Sequence, residues 1–396
     1  MKNKKVNLND ICFFQEGPGV RKYQYCTKGV KLINVSNLVN GEIDLSNSNR
    51  YISQEEAYGR YKHFLIDEGD LIIASSGIKV EYLDKKVAFI KKENLPLCMN
   101  TSTIRFKVKN KNELDILYLS YFLKSKNFKN QISKLITGSA QLNFGGSHLK
   151  KINLFLPELN VQKKVSTLLL LIDNTIKNMQ RKISILEQLT KSLFNFQIQP
   201  YIKELKIEKL GDIIEVKSSK RVFLSEISTN GIPFYRGTEI SKLSRGENVE
   251  SNLFISEELY ENLRKISDVP KIGDLLLPSI CNNGEIWYVN KSNPFYFKDG
   301  RVLWLKLNKN INGKYLQYYL IEKFKQDYSK IASGTTFSEL KIITLKNLLL
   351  PVPPIELQNK FAEKVEKIEK LKFEIEKSIE IAQNLYDSLI SKYFDN

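Results

Sequence analysis

Apolar residues recur at Val165, Leu169, Ile172, Ile176, Met179, Ile183, Leu186 and Leu193, in steps that mostly alternate four and three. That spacing is a coiled-coil seam, interrupted once by Thr190. It predicts one helix from about Leu159 to Ile198, ended by Pro200 and roughly 60 Å long at 1.5 Å per residue. A second stripe near the far end places Phe361, Ile368, Ile375, Ala382 and Leu389 seven residues apart. Val365, Leu371, Ile379 and Leu385 flank it, and its register is less regular. Each helix is longer than a domain face it could cover, so mutual pairing is expected rather than separate packing. Ahead of each helix the pattern is mixed. Asp70–Ala74, Lys86–Ile90 and Thr103–Val108 are short, β-branched or aromatic runs bounded by turn residues, which predicts strands. A Leu- and Tyr-rich helix is expected from about Glu113 to Lys134.

The pattern occurs twice, at an offset of about 200 residues. Asn7–Ile11 aligns with Lys209–Ile213, and Lys28–Ile33 with Asn230–Tyr235. Gly69–Ile73 recurs as Gly273–Leu277, and Tyr118–Leu123 as Tyr315–Leu320. Gly138–Ala140 meets Gly334–Thr336, and Leu156-Pro157-Glu158 with Gln162 meets Val352-Pro353-Pro354 with Gln358. Six matches in order mark a duplicated unit. The expected fold is α+β: two repeated globular domains separated by an antiparallel coiled coil of two long helices. The predicted segments are a first domain at 1–156, a central helix at 157–200, a second domain at 201–352 and a distal helix at 353–396. A two-fold relation between the units would set the helices antiparallel and the domains at opposite ends.

Charge narrows the partner. The 396 residues carry 61 Lys+Arg against 44 Asp+Glu, a net charge of +17. Before Pro200 stand 31 basic and 17 acidic residues, a net +14; the remainder holds 30 and 27, a net +3. A basic, aromatic-rich globular chain points to a polyanion such as nucleic acid. The longest apolar run, Leu168–Ile172, is fenced by charge, so no membrane span is expected. The N-terminus lacks the apolar core of a signal peptide. Cys12, Cys26, Cys98 and Cys281 form no paired spacing, and with only His63 and His148 a zinc site is not expected. The chain reads as cytoplasmic and metal-free. Catalytic motifs are poor: there is no phosphate-binding P-loop, the Gly17-Pro18-Gly19 turn reads as a plain loop, and Asn293-Pro294 reads as a β-turn.

Two loops are more pointed. Ser75-Ser76-Gly77-Ile78-Lys79 follows a predicted strand, and its counterpart runs Ser279-Ile280-Cys281-Asn282-Asn283-Gly284-Glu285. Small polar residues with glycine let backbone approach a groove, and Asn, Lys and Glu suit base-edge readout. Divergent loops on a repeated framework fit two reading heads with different targets; ordinary loop drift is the plainer alternative.

The ordered set of motifs, occurring twice, resembles the specificity (S) subunits of type I restriction-modification systems over essentially the whole chain. The second copy, Lys209–Ile213, Gly231–Tyr235, Gly273–Leu277, Tyr315–Leu320, Gly334-Thr335 and Pro353-Pro354 with Gln358, keeps the family pattern nearly whole. The first departs at Asn9, Lys31, Leu156–Glu158 and Val161. The resemblance implies a non-catalytic reader of double-stranded DNA, in which each domain reads half of a bipartite site. The coiled coil would set the spacer and dock two methyltransferase (M) subunits, joined by restriction (R) subunits. No cofactor is expected on this chain: AdoMet would belong to the M subunits, and ATP and Mg to the R subunits. A modification-only system without R subunits, an RNA-binding protein and a coiled-coil adaptor are the alternatives. By analogy of position, contacts are expected at Ser75, Ser76, Gly77, Lys79, Ser139, Gln141 and Asn143 in the first domain. In the second they are expected at Arg236, Thr238, Ser279, Asn282, Asn283, Glu285, Thr335 and Thr336.

Overall fold

The computed structural model describes residues 4–136, 141–198, 207–281, 284–332 and 339–395. They divide into two compact units, Met1–Gln180 with Glu376–Asn396, and Arg181–Ile375. Each unit thus owns one end of each long helix.

In the first unit a four-stranded antiparallel sheet has the order Cys12–Glu16, Thr103–Val108, Leu71–Ala74, Val87–Phe89. The three strands expected from pattern are therefore neighbours in one sheet. Leu71–Ala74 is buried at every position, the reading of a central strand covered on both faces. A second sheet sets Val30–Ile33 between Leu97–Met99, parallel, and Tyr51–Ile52, antiparallel. Lys4–Asn7 pairs with Asn153–Leu156 and ties the start of the domain to the strand that leads into the central helix. The expected helix over Glu113–Lys134 is two helices, Ile116–Lys124 and Lys126–Leu135, broken at Ser125. Ser125 takes extended backbone, and its hydroxyl accepts from the Phe128 amide, so its capping preference ends one helix and starts the next.

The second unit repeats this topology. Its four-stranded sheet runs Glu215–Lys217, Val302–Lys306, Leu275–Pro278, Trp287–Tyr288. Its three-stranded sheet runs Phe254–Ile255, Ile232–Tyr235, Tyr296–Phe297, and Ile207–Lys209 pairs with Leu349–Pro351. Here Gly313–Ile331 is one uninterrupted helix, since Glu322 stands where the first copy has Ser125. The second copy also adds a full helix, Glu257–Ser267, in place of the short Gln54–Tyr58 turn. The paired glycines Gly29 and Gly231 share one constraint. Both have positive φ (145° and 119°), and a Cβ would lie 2.0 Å from the Ile52 carbonyl oxygen or 2.4 Å from that of Ile255.

The long helices are Leu159–Gln197 and Ile355–Phe394. In the first unit Val165 and Leu169 share a core with Ile390 and Phe394. The Tyr121 ring packs on Tyr386 at 6.2 Å while its hydroxyl donates to Asp173 at 3.3 Å. In the second unit Glu187 pairs with Lys372 at 2.8 Å, and Phe194 packs on Phe361 at 5.6 Å. Within either unit, rising numbers on one helix meet falling numbers on the other, so the pairing is antiparallel. The seam lies on the covered face. Val165, Leu169, Ile172, Ile176, Phe361 and Ile368 are buried, and Met179, Ile183, Leu186, Leu193, Ile375 and Leu389 are half-buried. Two flanking positions differ from expectation: Leu371 and Leu385 face outward, and Tyr386 and Ile390 take the inward places.

One repeated side chain fastens each helix to its domain. Gln162, fully buried, accepts from the Asp115 amide at 3.0 Å and donates to the Glu113 and Pro157 carbonyls at 2.9 and 2.8 Å. Gln358 accepts from Asn312 at 2.9 Å and donates to Pro353 at 2.8 Å. Asp115 and Asn312 are in turn the N-caps of the Tyr/Leu helices. The glutamine of the repeated Pro…Gln motif thus satisfies backbone groups that a buried junction would otherwise strand.

The repeated Gly-Asp motif plants a buried carboxylate in each sheet. Asp70 takes Arg105 at 3.2 Å, and Asp274 takes Trp304 Nε1 at 2.9 Å and the Leu307 amide at 2.9 Å. Arg105 and Trp304 occupy equivalent ladder positions, opposite Ile72 and Leu276. One architectural position is therefore filled by a cation in one copy and a neutral donor in the other.

Candidate nucleic-acid interface

In both units the candidate loops leave the same end of the four-stranded sheet. In the first, Ser75 follows the Leu71–Ala74 strand; its amide donates to Ser102 and its carbonyl accepts from Phe144, at 2.9 and 3.0 Å. Ser76–Ile78 is not a free loop, as the sequence suggested, but a short strand paired antiparallel with Leu142–Asn143. That ladder brings Ser75–Lys79 and Gln141–Asn143 together although they are more than 60 positions apart. The Asn143 side chain accepts from the Gly77 amide at 3.2 Å. Gly77, Lys79, Gln141 and Asn143 are exposed and Ser76 is half-buried, but Ser75 is only 2% exposed and serves the backbone junction. Ser139 lies outside the described residues.

The second unit repeats the junction. The Ser279 amide donates to Arg301 at 2.9 Å and its carbonyl accepts from Leu340 at 2.7 Å; the residue is buried like Ser75. Beside it a cavity of about 500 Å³ is lined by Arg236, Thr238, Ser279, Lys298 and Arg301 among others. Three of the predicted residues are thus gathered with two cations that sequence reasoning passed over. Arg301 follows the Asp299-Gly300 turn into the Val302–Lys306 strand, and that turn was the available signal. Glu285 is not part of this cavity. It is half-buried where the loop folds back over the Gly313–Ile331 helix: the Cys281 amide donates to the Tyr328 hydroxyl at 2.7 Å, and Gln317 donates to the Ile286 carbonyl at 2.7 Å. Asn282, Asn283, Thr335 and Thr336 lie outside the described residues.

Arg236 is already engaged. It is the N-cap of Gly237–Ser244, its amide donates to Glu239 at 2.9 Å, and its guanidinium makes a two-point contact to the same carboxylate at 3.1 and 3.0 Å. Burial pushes the Glu239 carboxyl up, but hydrogen bonds from Arg236 and Thr238 outweigh it and hold the group below its ordinary value. Lys298 and Arg301 pair likewise with Asp299 and Glu339 at 3.0 and 3.2 Å. The cationic ends of Arg236 and Arg301 are exposed, at 54% and 66%, where an ion pair is worth about 0–1 kcal/mol, while Lys298 is half-buried. The first unit has no counterpart to Arg236. Its equivalent, Asn34, is buried and accepts from Asn100 at 2.6 Å, bracing the Asn100–Ser102 corner.

Among the described residues no helix is long and apolar enough to cross a membrane. A family model, the type I restriction modification DNA specificity domain, matches residues 1–188 and again 202–383. The chain is 26% identical over 299 residues to the MjaIX type I restriction enzyme specificity subunit of Methanocaldococcus jannaschii, covering 69% of this chain and 67% of that one. It is 24% identical over 334 residues to the MjaVIII specificity subunit of the same organism, covering 78% and 74%. Its fold is similar to the crystal structure of a type I restriction-modification S subunit from M. genitalium, with a TM-score of 0.61 and 18% identity over 100% of this chain and 96% of that one. A duplicated α+β domain, an antiparallel helix pair and a family match in both halves lead to one conclusion: the chain belongs to the specificity-subunit family of type I restriction-modification systems.

Proposed function

We propose that the chain is the non-catalytic reader of a type I restriction-modification assembly, working on duplex DNA in the cytoplasm. Each domain reads one half of a split site, and the paired helices set the unread spacer and dock two methyltransferase subunits. AdoMet belongs to those subunits, and ATP with Mg to restriction subunits; this chain supplies position and sequence choice alone. In the first half-site Lys79, Gln141 and Asn143 are the groups for phosphate and base edges. In the second, Thr238 with Arg236, Lys298 and Arg301 do this work. The observation that carries the reading is the matched sheet end: one scaffold junction at Ser75 and Ser279, surrounded by different exposed polar and basic residues in the two copies. A frame shared by the two copies, with divergent tips, is what two readers of different sequences require. The test is reconstitution. The chain alone should bind duplex DNA in a manner that weakens steeply with salt and transfer no methyl group. Adding its methyltransferase partner should produce methylation at a discrete sequence. Methylation by the chain alone, or DNA binding insensitive to salt, would overturn the proposal.

A further inference from the structure

A second feature recurs at this end of both sheets. In the first unit the chain leaves the Cys12–Glu16 strand, runs through Gly17–Val20 and makes a one-turn helix at Lys22–Gln24. In the second it leaves Glu215–Lys217 and makes the same turn at Leu224–Glu226. Val20 and Val222 anchor the two turns in the cores beneath, at 8% and 4% exposure. The caps match as well: Gln24 Oε1 accepts from the Arg21 amide and Glu226 Oε2 from the Phe223 amide, both at 2.8 Å. Gln24 is further braced by the Tyr61 hydroxyl at 3.1 Å, and the Lys220 amide donates to the Tyr296 hydroxyl at 3.0 Å.

Each braced turn holds large apolar side chains in solvent. Tyr23 is 83% exposed, Leu224 93% and Phe223 57%. Single exposed apolar residues are ordinary. Here, however, they recur on equivalent braced turns, at neighbouring rather than matching positions, and each follows a pair of cations: Arg21 and Lys22 in one, Lys220 and Arg221 in the other. Arg221 lies over the Phe223 ring at 5.3 Å. The turns also start at the corner that carries the candidate reading loops. Gly17 donates to the Thr103 carbonyl at 3.0 Å, beside the Ser75–Ser102 bond, and Ser218 Oγ donates to the Val302 carbonyl at 2.7 Å, beside the Ser279–Arg301 bond.

We propose that these two turns are wedges that enter the DNA base stack, Tyr23 in the half-site read by the first unit and Leu224 with Phe223 in the other. An apolar wedge beside basic residues is the chemistry by which proteins part a base step while neutralising an adjoining phosphate. A rigid turn suits it, because a tip ordered before binding loses little entropy on insertion. This rests on the DNA-reading function proposed above and adds to it a contact that takes no part in base-edge readout.

The experiment uses the full chain with its methyltransferase subunits and a duplex carrying the sequence that complex methylates. 2-Aminopurine is placed in turn at each position except the target adenines. The wild-type complex should raise fluorescence at one step in each half-site. Tyr23→Ala should abolish the rise in the first half only, and Leu224→Ala with Phe223→Ala in the second only. Each change should weaken binding by roughly tenfold, since a stacked aromatic contributes on that order. Tyr23→Phe should restore the signal, which a lost hydroxyl contact would not allow. If the wild-type complex binds and methylates its site with no unstacked step, or the alanine variants keep the step, the wedges are wrong and the reading function stands. If the complex shows no preference for the duplex over random DNA, the reading function fails and the wedges fail with it.

Discussion

Replacing Gln358 with leucine tests how the distal helix is fastened to its domain. Leucine keeps most of the volume but removes both polar ends. The Asn312 amide and the Pro353 carbonyl, bonded at 2.9 and 2.8 Å, then lose their partner where no water reaches, since Gln358 is fully buried. At about 1–3 kcal/mol for each stranded group, the loss comes to about 3 kcal/mol. With a urea slope of about 3 kcal/mol per molar for a unit of this size, the midpoint should fall by about 1 M. The assay is unusually clean because the two tryptophans, Trp287 and Trp304, are both buried in the second unit, so tryptophan fluorescence follows that unit's melting. Lys360→Ala, at an exposed position on the same helix, is the control and should shift the midpoint by about 0.2 M or less. A Gln358→Leu midpoint within about 0.3 M of wild type would refute the claim that this side chain holds the junction.

The two buried aspartates should respond differently to the same change. Asp70→Asn leaves Arg105 a buried cation without its carboxylate and should cost about 3–5 kcal/mol. Asp274→Asn faces the neutral Trp304 donor and should cost about 1–2 kcal/mol, both read from urea unfolding. Asp268 is held down at about 2, chiefly by the hydrogen bond from Lys306. Its folded value lies below its unfolded one, so its stabilisation is complete above about pH 4 and is lost as pH falls toward 2. Asp268→Asn should therefore flatten the acid limb of the tryptophan-monitored midpoint in that window and leave its slope near pH 7 unchanged. Burial pushes the Cys12 and Cys98 thiols up to about 12 and raises Cys281 as well. At pH 8 Ellman's reagent should titrate the half-buried Cys26 in the native protein and all four thiols only in denaturant.

Much of this architecture is legible in the sequence because it is written in periodicity and repetition. The four-three steps from Val165 to Leu193 mark the covered face of the central helix, and the doubled Gly-Asp and Pro…Gln motifs mark junctions where a buried polar side chain has to meet fixed backbone partners. What escapes is set by three-dimensional context. Ser125 is an acceptable helix residue by composition, and only its cap geometry breaks the helix there. Ser75 and Ser279 look like loop-tip polar residues, yet each is buried because its amide and carbonyl tie three segments together. Arg236 carries the charge expected of a contact, but Glu239, one helical turn on, already holds it. Lys298 and Arg301 come to the same cavity from a separate turn. The net charges of +14 and +3 do not locate the candidate interface, since the cations at the second cavity each have a carboxylate beside them.

Independent reading of two halves of one DNA site by two domains of one chain would leave its record in the methylated genome. Sequencing N6-methyladenine across a genome in which this chain works with its methyltransferase partner reads that record. Wild type is compared with a chain altered only at Thr238, Lys298 and Arg301. Methylation is expected at two short sequences separated by a spacer of fixed length and no sequence preference. The altered chain should relax one of those sequences and keep the other sequence and the spacer. A methylated site that is continuous, or a variant in which both halves relax together, would rule out independent reading by the two domains.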